Sequence, residues 1–508
     1  MSDTKVRNRG ELVHPEHFIL ATRDTGYRST SYALAELVDN AIQAGASRIS
    51  TEITSTQDDR WPIEIVVTDD GSGMDASELR QALAFGGTTR FDDRSSLGRY
   101  GMGLPNGSLS RARRVTVHSW KQGAAYSASL DIDEIVQRKR RSVPAPEVDR
   151  RARSMRPSRS GTSVHLSACD RLEYRRVGTL ASRLQEDFGR IYRRFLIAGL
   201  HLTVNSEEVS PIDPLFLDAG ATNARARPFG DVLEYRLAGQ HGESGLITVR
   251  FSELPVELWS GLPSKEKRAL GVTNAPSCSI VRGGREIDRG WFFMGTKRRE
   301  NYDDWWRCEI AFSPELDEAF GITHAKQQIS PSPELDGVLA PDLEAIARAL
   351  NARVRKRFDN ARHTFALSEA ERKAARADRS LPPLPQQKGG RRSKAIASAA
   401  DLAGVVDGGG PYRIVVGTTD TTAAYEVLVR KGQLTMVLND RHPFFRDLYE
   451  PLSAGAAADD QRQKVTFLAL TVLAAARAEA AMSTPQTRAQ LDEFRRCWSD
   501  VLATFFNA

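Results

Sequence analysis

The sequence predicts an α+β multidomain protein, and three observations carry that prediction. At 508 residues the chain is long enough for about three domains. Runs of β-branched residues alternate with helical periodicity over most of its length. Between residues 366 and 408 the composition shifts to Ala, Arg, Lys, Pro and Gly, as in ERKAARADRSLPPLPQQKGGRRSK, which reads as a linker or a partly helical arm. A hydrophobic content of 40% supports ordinary cores. The longest apolar run, VTFLALTVLAAA at 465–476, is shorter than the ~20 residues that a membrane-crossing helix needs. The polar N-terminus, MSDTKVRNRGELVHPEHF, has no signal-peptide core, so the expectation is a cytoplasmic protein without a membrane partner. Cys169, Cys278, Cys308 and Cys497 lie far apart with no C-x-x-C spacing, which argues against a zinc site and a disulfide framework.

Residues 1–28 form a short arm ahead of the first strong helical pattern. That pattern, STSYALAELVDNAIQAG at 29–45, places Glu36, Asp39, Asn40 and Gln43 on one stripe beside Leu34, Leu37, Val38, Ala41 and Ile42. Ser29 or Thr30 caps its start and Gly45 ends it. Two carboxylates and an amide bordering an apolar face suit a divalent cation and a water; an amphipathic surface helix gives the same pattern.

Three further stretches narrow the choice. IEIVVTDDGSGMD at 63–75 reads as a strand ending in an Asp-Gly-Ser-Gly turn, which fixes Asp69 at a pocket mouth. Gly71 and Gly73 leave room there for a flat ligand. GGTTRFDDRSSLGRYGMGLPNG at 86–107 is a polar loop that ends in Gly98, Gly101 and Gly103 before a helix near Pro105–Arg111. Glycines before a helix start present backbone N–H groups to an anion. Gly161 and Thr162 open a strand, GTSVHL. No G-x-x-x-x-G-K-[ST] sequence occurs, so no P-loop supplies a nucleotide site.

Taken in order, ELVDN, DDGSGM, GRYGMG and GTSVHL resemble the motifs of the GHKL ATPase superfamily, whose members include gyrase, MutL, the heat-shock chaperones of ninety kilodaltons, histidine kinases and MORC proteins. LGRYGMGLPNGS followed by SLSRARRVTVHS is most similar to the MORC branch and its bacterial relatives. The resemblance implies a GHKL α/β sandwich (Bergerat fold) over 29–170 and a transducer-type domain over 171–365. It implies ATP and Mg²⁺ as cofactors, Glu36 as general base toward water, Asn40 as the Mg²⁺ ligand and Asp69 as acceptor for the adenine amino group. Thr162 assists adenine binding, and Gly98, Gly101 and Gly103 close over the phosphates. Asp39, Gly71, Gly73, Met74 and Met102 complete the implied nucleotide-binding set. Lys326, in THAKQQ, is implied to reach from the second domain to the γ-phosphate. A carboxylate is a competent base once water is held in line with the phosphorus, and Mg²⁺ offsets charge on the phosphate oxygens.

By the same resemblance the chain is an ATP-dependent homodimeric clamp that binds or compacts DNA, with the N-terminal arm reaching to the partner subunit. The implied setting is a bacterial antiphage or restriction-like system with a helicase, nuclease or methyltransferase partner. The alternative is a chaperone-like ATP clamp on protein clients. The short stretch before residue 29 leaves no place for a sensor, which weighs against a histidine kinase.

Residues 138–159 carry nine Lys or Arg against Glu147 and Asp149, so this one insert accounts for the net charge of +6. Clustered basic residues contact phosphate backbones without reading sequence, although a solvated loop has the same composition. Arg282, Arg285, Lys297, Arg298 and Arg299 are weaker candidates for DNA contact. In the second domain, Leu180, Leu184, Phe188, Ile191 and Phe195 recur at helical spacing, and strand pairs and a long helix, PDLEAIARALNARVRKRF, follow. After the linker at 366–410, residues 411–508 read as a small α+β domain. It has three strands and two helices, with Phe494, Trp498, Phe505 and Phe506 expected to pack its core.

Overall fold

The computed structural model describes residues 14–24, 26–87, 101–137, 142–149, 159–218, 225–239, 242–273, 278–322, 328–381, 410–430, 432–454, 459–482 and 484–507. The chain forms two compact units, one of Met1–Pro255 and Leu262–Asn351, the other of Val256–Gly261 and Ala352–Ala508.

The first unit holds two sheets. Helices α1 (Pro15–Asp24) and α2 (Thr30–Gln43) precede strands β1 (Arg48–Ser55) and β2 (Ile63–Asp69). Then come α3 (Ala76–Ala82), α4 (Gly103–Arg111), β3 (Arg114–Lys121), β4 (Ala124–Asp131), α5 (Ile132–Val136), β5 (Glu147–Val148) and β6 (Gly161–Ser167). Helices α6 (Val177–Ile191) and α7 (Arg193–Ile197) lead to β7 (His201–Val204) and β8 (Glu207–Glu208). These strands make one eight-stranded sheet in the order β5-β4-β3-β6-β2-β1-β7-β8. Alternation along β1, β2 and β3 sends Ile49, Ile53, Ile65, Val67, Val115 and Val117 into a core shared with α2, α4 and α6.

Local chemistry sets these boundaries. Ser29, not Thr30, caps α2, its Oγ accepting from Tyr32 N at 3.4 Å. The helical pattern of 177–197 breaks at Tyr192, whose backbone (φ −104°, ψ 12°) leaves the helical region. Asn205 and Ser206 both have positive φ, which suits the two-residue turn joining β7 to β8. Because β7 pairs in parallel with β1, the first sheet does not end at residue 170, the boundary expected from the motifs. Helices α6 and α7 and strand β7 contribute to its core, and β8 pairs with β7 at the sheet's edge. Nothing in the motif order signals this crossover.

Residues 1–13 lie outside the described residues, but α1 docks on its own unit. Arg23 Nε donates to Leu109 O at 2.6 Å and its Nη2 pairs with Asp170 at 2.5 Å. Phe18 meets Phe85 edge-on.

The second sheet contains β9 (Arg227–Ala238), β10 (Ser244–Glu253), β11 (Cys278–Arg282), β12 (Arg285–Gly290) and β13 (Trp306–Phe312), in the order β12-β11-β13-β10-β9. Short helices α8 (Val256–Trp259) and α9 (Ser264–Ala269) follow β10 in sequence. Helix α10 (Pro333–Ala377) lays Leu335, Leu339, Leu343, Ala347 and Leu350 on the second core. This single helix runs through residue 365, where a boundary was expected. Four of the five weaker candidates for DNA contact are committed elsewhere. Arg282 is held by Asp317 at 2.6 Å, Lys297 by Asp303 at 2.7 Å and Arg299 by Asp304 at 2.7 Å. Arg285 is buried against Asp39.

The second unit has a three-stranded sheet of β14 (Tyr412–Gly417), β15 (Tyr425–Arg430) and β16 (Gln433–Asn439), with β16 central. Helices α11 (Glu450–Ala454), α12 (Asp459–Ala481) and α13 (Pro485–Asn507) follow. Its core gathers Tyr412, Leu434, Met436, Tyr449, Val465, Leu473 and Ala476. The aromatic residues of α13 do not fill it as expected. Phe494 is 66% exposed and Phe505 73%, Trp498 touches Tyr425 only edge-on, and Phe506 alone of the four packs against the core. The buried face of α13 is instead the one marked by Arg495 and Ser499. Among the described residues no helix is long and apolar enough to cross a membrane. All four cysteines are free; Cys169, Cys278 and Cys308 are buried and Cys497 is exposed.

The burial pattern gives a direct test. Phe494→Ser and Phe505→Ser should each change stability by less than about 1 kcal/mol. Leu473→Ala, in the core of the same unit, should cost about 2–5 kcal/mol. Denaturant unfolding of the three variants measures the difference.

Candidate functional site

Helix α2 is enclosed on nearly every side, and Glu36 is only 3% exposed. Its neighbour is the start of α4. A Cβ at Gly103 would stand 2.6 Å from Glu36 Oε2, and one at Gly107 would stand 2.7 Å from Ala33 O. Hydrogen at Gly107 lets the helices approach so closely, and hydrogen at Gly103 leaves room for the Glu36 carboxylate against the first turn of α4. Met102, the N-cap residue, provides no side-chain cap. The leading N–H groups of α4 therefore have no partner from that side chain, and their dipoles favour negative charge nearby. Gly101 has positive φ, and its carbonyl accepts from Gly86 N at 3.1 Å.

A second group lies across three strands. Asp69 on β2 is directly opposite Thr162 on β6, which is opposite Ser119 on β3. Ser119 Oγ lies 3.0 Å from Thr162 Oγ1, accepts from Met74 N at 2.8 Å, and is 3.1 Å from Gly161 O. Asp69 Oδ1 accepts from Gly71 N at 2.8 Å. Burial pushes the Asp69 carboxyl up to about 6, outweighing the hydrogen bonds from Gly71 and Thr162 that favour its charge. Ser72 N donates to Ala44 O at 2.9 Å, which latches the Asp-Gly-Ser-Gly turn to the end of α2. The turn thus ties the second group to the C-terminal end of the helix that carries Glu36, with half-buried Asn40 one helical turn beyond Glu36.

The glycines of that turn do something other than leave room. A Cβ at Gly73 would lie 2.1 Å from Trp120 O, and φ there is +65°. A Cβ at Gly71 would meet Ala44 and the Asp69 carboxylate. Their small size lets the turn press on the protein's own sheet and helix.

Asp39 requires a correction. It was expected with the nucleotide-binding residues, yet it is fully buried and its Oδ1 is bound by Arg285 Nε at 2.8 Å and by the Tyr192 hydroxyl at 2.9 Å. Its helical position, three residues after Glu36, turns it toward the second sheet. Gly98 and Lys326 lie outside the described residues. Sequence reasoning missed Ser119, Tyr192 and the inward role of Arg285. Ser119 sits at an inward-facing position of an alternating strand, a weak signal; the other two are revealed only by tertiary contact. Among the described residues, no three His, Cys, Asp or Glu side chains cluster as a metal site.

Residues 27–162 match the family model described as "Histidine kinase-, DNA gyrase B-, and HSP90-like ATPase". These residues are a GHKL domain. The chain is 32% identical over 155 residues to ATPase MORC2 of Homo sapiens, covering 29% of this chain and 14% of that protein. It is 31% identical over 135 residues to Protein MICRORCHIDIA 6 of Arabidopsis thaliana, covering 25% and 20%. It is 40% identical over 106 residues to DNA mismatch repair protein MutL of Rhodospirillum rubrum, covering 20% and 16%. The chain therefore matches no more than a fifth of the length of these relatives.

Asp69 makes a pH-dependent prediction for the GHKL domain. With its pKa raised from 3.8 to about 6, its contribution to stability is present below pH ~3.8 and is lost as the pH rises through about 6, a difference of about 3 kcal/mol. Asp69→Asn should therefore raise unfolding stability at pH 7.5 by roughly 1–3 kcal/mol and give a much smaller gain at pH 4.5. Denaturant titrations at the two pH values measure it.

Proposed function

We propose that the first unit binds and hydrolyses ATP, with Glu36 as the base that takes the proton from the attacking water. The observation that carries this reading is the meeting of the Glu36 carboxylate with the glycine-bearing first turn of α4. A carboxylate and a set of outward N–H groups then face one space, where a terminal phosphate and its attacking water fit together. Asp69, with Thr162 and Ser119, forms the polar floor on which an adenine amino group finds its acceptor. Asn40 is the residue that would hold Mg²⁺, with phosphate oxygens and waters as the other ligands, and the ion's charge would offset that of the phosphates. Gly71, Gly73, Met74, Gly98, Gly101, Met102 and Gly103 shape the phosphate and adenine borders in this reading, and Lys326 adds a positive charge at the γ-phosphate.

The wider proposal is a homodimeric clamp that closes on ATP and holds or compacts DNA, in an antiphage or restriction-like setting with a helicase, nuclease or methyltransferase partner. Its support is the MORC-like sequence, the named role of MutL in DNA mismatch repair and the nine basic residues of 138–159. A clamp on protein clients is the second reading. The exposed Phe494, Trp498, Val501 and Phe505 of α13 favour it, because such a stripe suits an apolar partner.

Glu36→Ala should retain nucleotide affinity within about threefold and lose at least about 100-fold in kcat, while Asp69→Asn should lose nucleotide affinity. Steady-state turnover and equilibrium binding of ATP measure both, and parental turnover in Glu36→Ala would remove the base assignment. DNA titrations with and without a non-hydrolysable ATP analogue, at two salt concentrations, decide between the clamps. Binding that strengthens with the analogue and weakens with salt supports DNA; absent or salt-independent binding supports protein clients.

A further inference from the structure

The catalytic helix is tied to the second sheet by a buried charge. Arg285, 1% exposed, is the first residue of β12 and donates from Nε to Asp39 Oδ1 at 2.8 Å. The Tyr192 hydroxyl, between α6 and α7, lies 2.9 Å from the same oxygen and 2.8 Å from Ala35 O. Ala35 and Asp39 bracket Glu36 on α2, and Asn40 follows Asp39. One arginine and one tyrosine thus grip the helical turn on which both the hydrolytic carboxylate and the metal-binding amide are mounted.

The arginine is itself held firmly. The Gly283–Gly284 turn, with φ of 53° and 90°, folds β12 back on β11 so that Arg285 pairs in register with Arg282. Arg282 is fixed by two bonds to Asp317, at 2.6 and 2.7 Å. On the next residue, buried Glu286 is bound by Arg190 Nε at 2.6 Å, by Arg193 Nη1 at 3.3 Å and by the Ser279 hydroxyl. Burial alone would pull the Arg285 pKa down, but Asp39, Tyr192 and Glu36 outweigh it and hold the guanidinium charged. The charge of Glu36 is therefore felt at Arg285 as well as that of Asp39.

We propose that Arg285, assisted by Tyr192, is a positioning residue for the Glu36 carboxylate. By holding Asp39 it makes the orientation of the Glu36–Asn40 turn depend on the docking of the second sheet. Hydrolysis is then competent only while β12 sits against α2. This rests on the reading of Glu36 as the base, and the test separates the two.

Arg285→Gln is compared with the parent, Glu36→Ala, Tyr192→Phe and the double variant Arg285→Met with Asp39→Leu, all as the full chain. Arg285→Gln should lower kcat at least about tenfold with KM changed less than about threefold, and should raise amide hydrogen exchange across residues 30–43. The double variant removes both partners of the Asp39–Arg285 pair, so its unfolding midpoint should return toward the parent's while its kcat stays low. Tyr192→Phe, which buries no lone charge, should lower kcat by a few-fold. Parental kcat in Arg285→Gln, or a kcat that recovers together with stability in the double variant, would make the pair purely structural and overturn the proposal. If Arg285→Gln does not fold, parental kcat in both Tyr192→Phe and the double variant overturns it equally. If the parent turns over no ATP, the base assignment fails on its own, and exchange across 30–43 in Tyr192→Phe and the double variant still decides positioning: faster exchange than the parent supports it, parental exchange refutes it.

Discussion

Ionised groups taken out of water hold the first unit together, and the pair formed by Asp39 and Arg285 is the one on which the rest depends. Around it stand Glu286 with Arg190 and Arg193, and Glu309 with Arg193, Arg194 and Arg250. Three arginines keep the Glu309 carboxyl ionised at about 2 even though burial opposes its charge. Such pairs add little net stability over apolar packing, since desolvation cancels much of the attraction. What they provide is intolerance of misplacement: a sheet that slid by one residue would leave several charges buried without partners. The two sheets are therefore held in one register by the cost of every other register.

The Glu36 side of the unit depends on a contact of another kind. Helices α2 and α4 meet where Gly103 and Gly107 face Glu36 and Ala33, so the carboxylate reaches the helix start without a linking residue. A polar row across β2, β6 and β3 supplies the other half, assembled from residues far apart in sequence but neighbours in register. Rigid elements carry both halves, which suits a site whose geometry must be held to fractions of an ångström.

Much of this was legible in the chain. The ELVDN helix, the strand into DDGSG, the helix after GRYGMG and the GTSVHL strand all occur as elements, because each has a local signature: a serine cap, a β-branched run, a glycine-bearing helix start. The three strands of 411–508 were legible for the same reason. What stayed hidden depends on contacts between distant residues. The pairing of β7 with β1 moved the expected edge of the first domain. The inward turn of Asp39 could not be told from an outward one, since helical spacing fixes relative angle but not which neighbour each face meets. Arg285 read as a surface charge because arginine is seldom buried without a partner, and its partner lies 246 residues earlier. On α13, the aromatic residues drew the expectation to the row of Phe494, Trp498 and Phe505, whereas the row that meets the core, Arg495, Ser499, Leu502 and Phe506, lies one residue further on.

The state of the four thiols bears on how the molecule's motions could be followed. Burial pushes the Cys169 thiol up to about 12 and also raises that of Cys308, so neither offers an accessible thiolate near neutral pH. Cys278 is enclosed beside Cys308, whereas Cys497 faces solvent on α13. A maleimide dye should therefore enter at one defined position on the native, otherwise unaltered chain, turning the last helix into a spectroscopic marker for any rearrangement that nucleotide brings about.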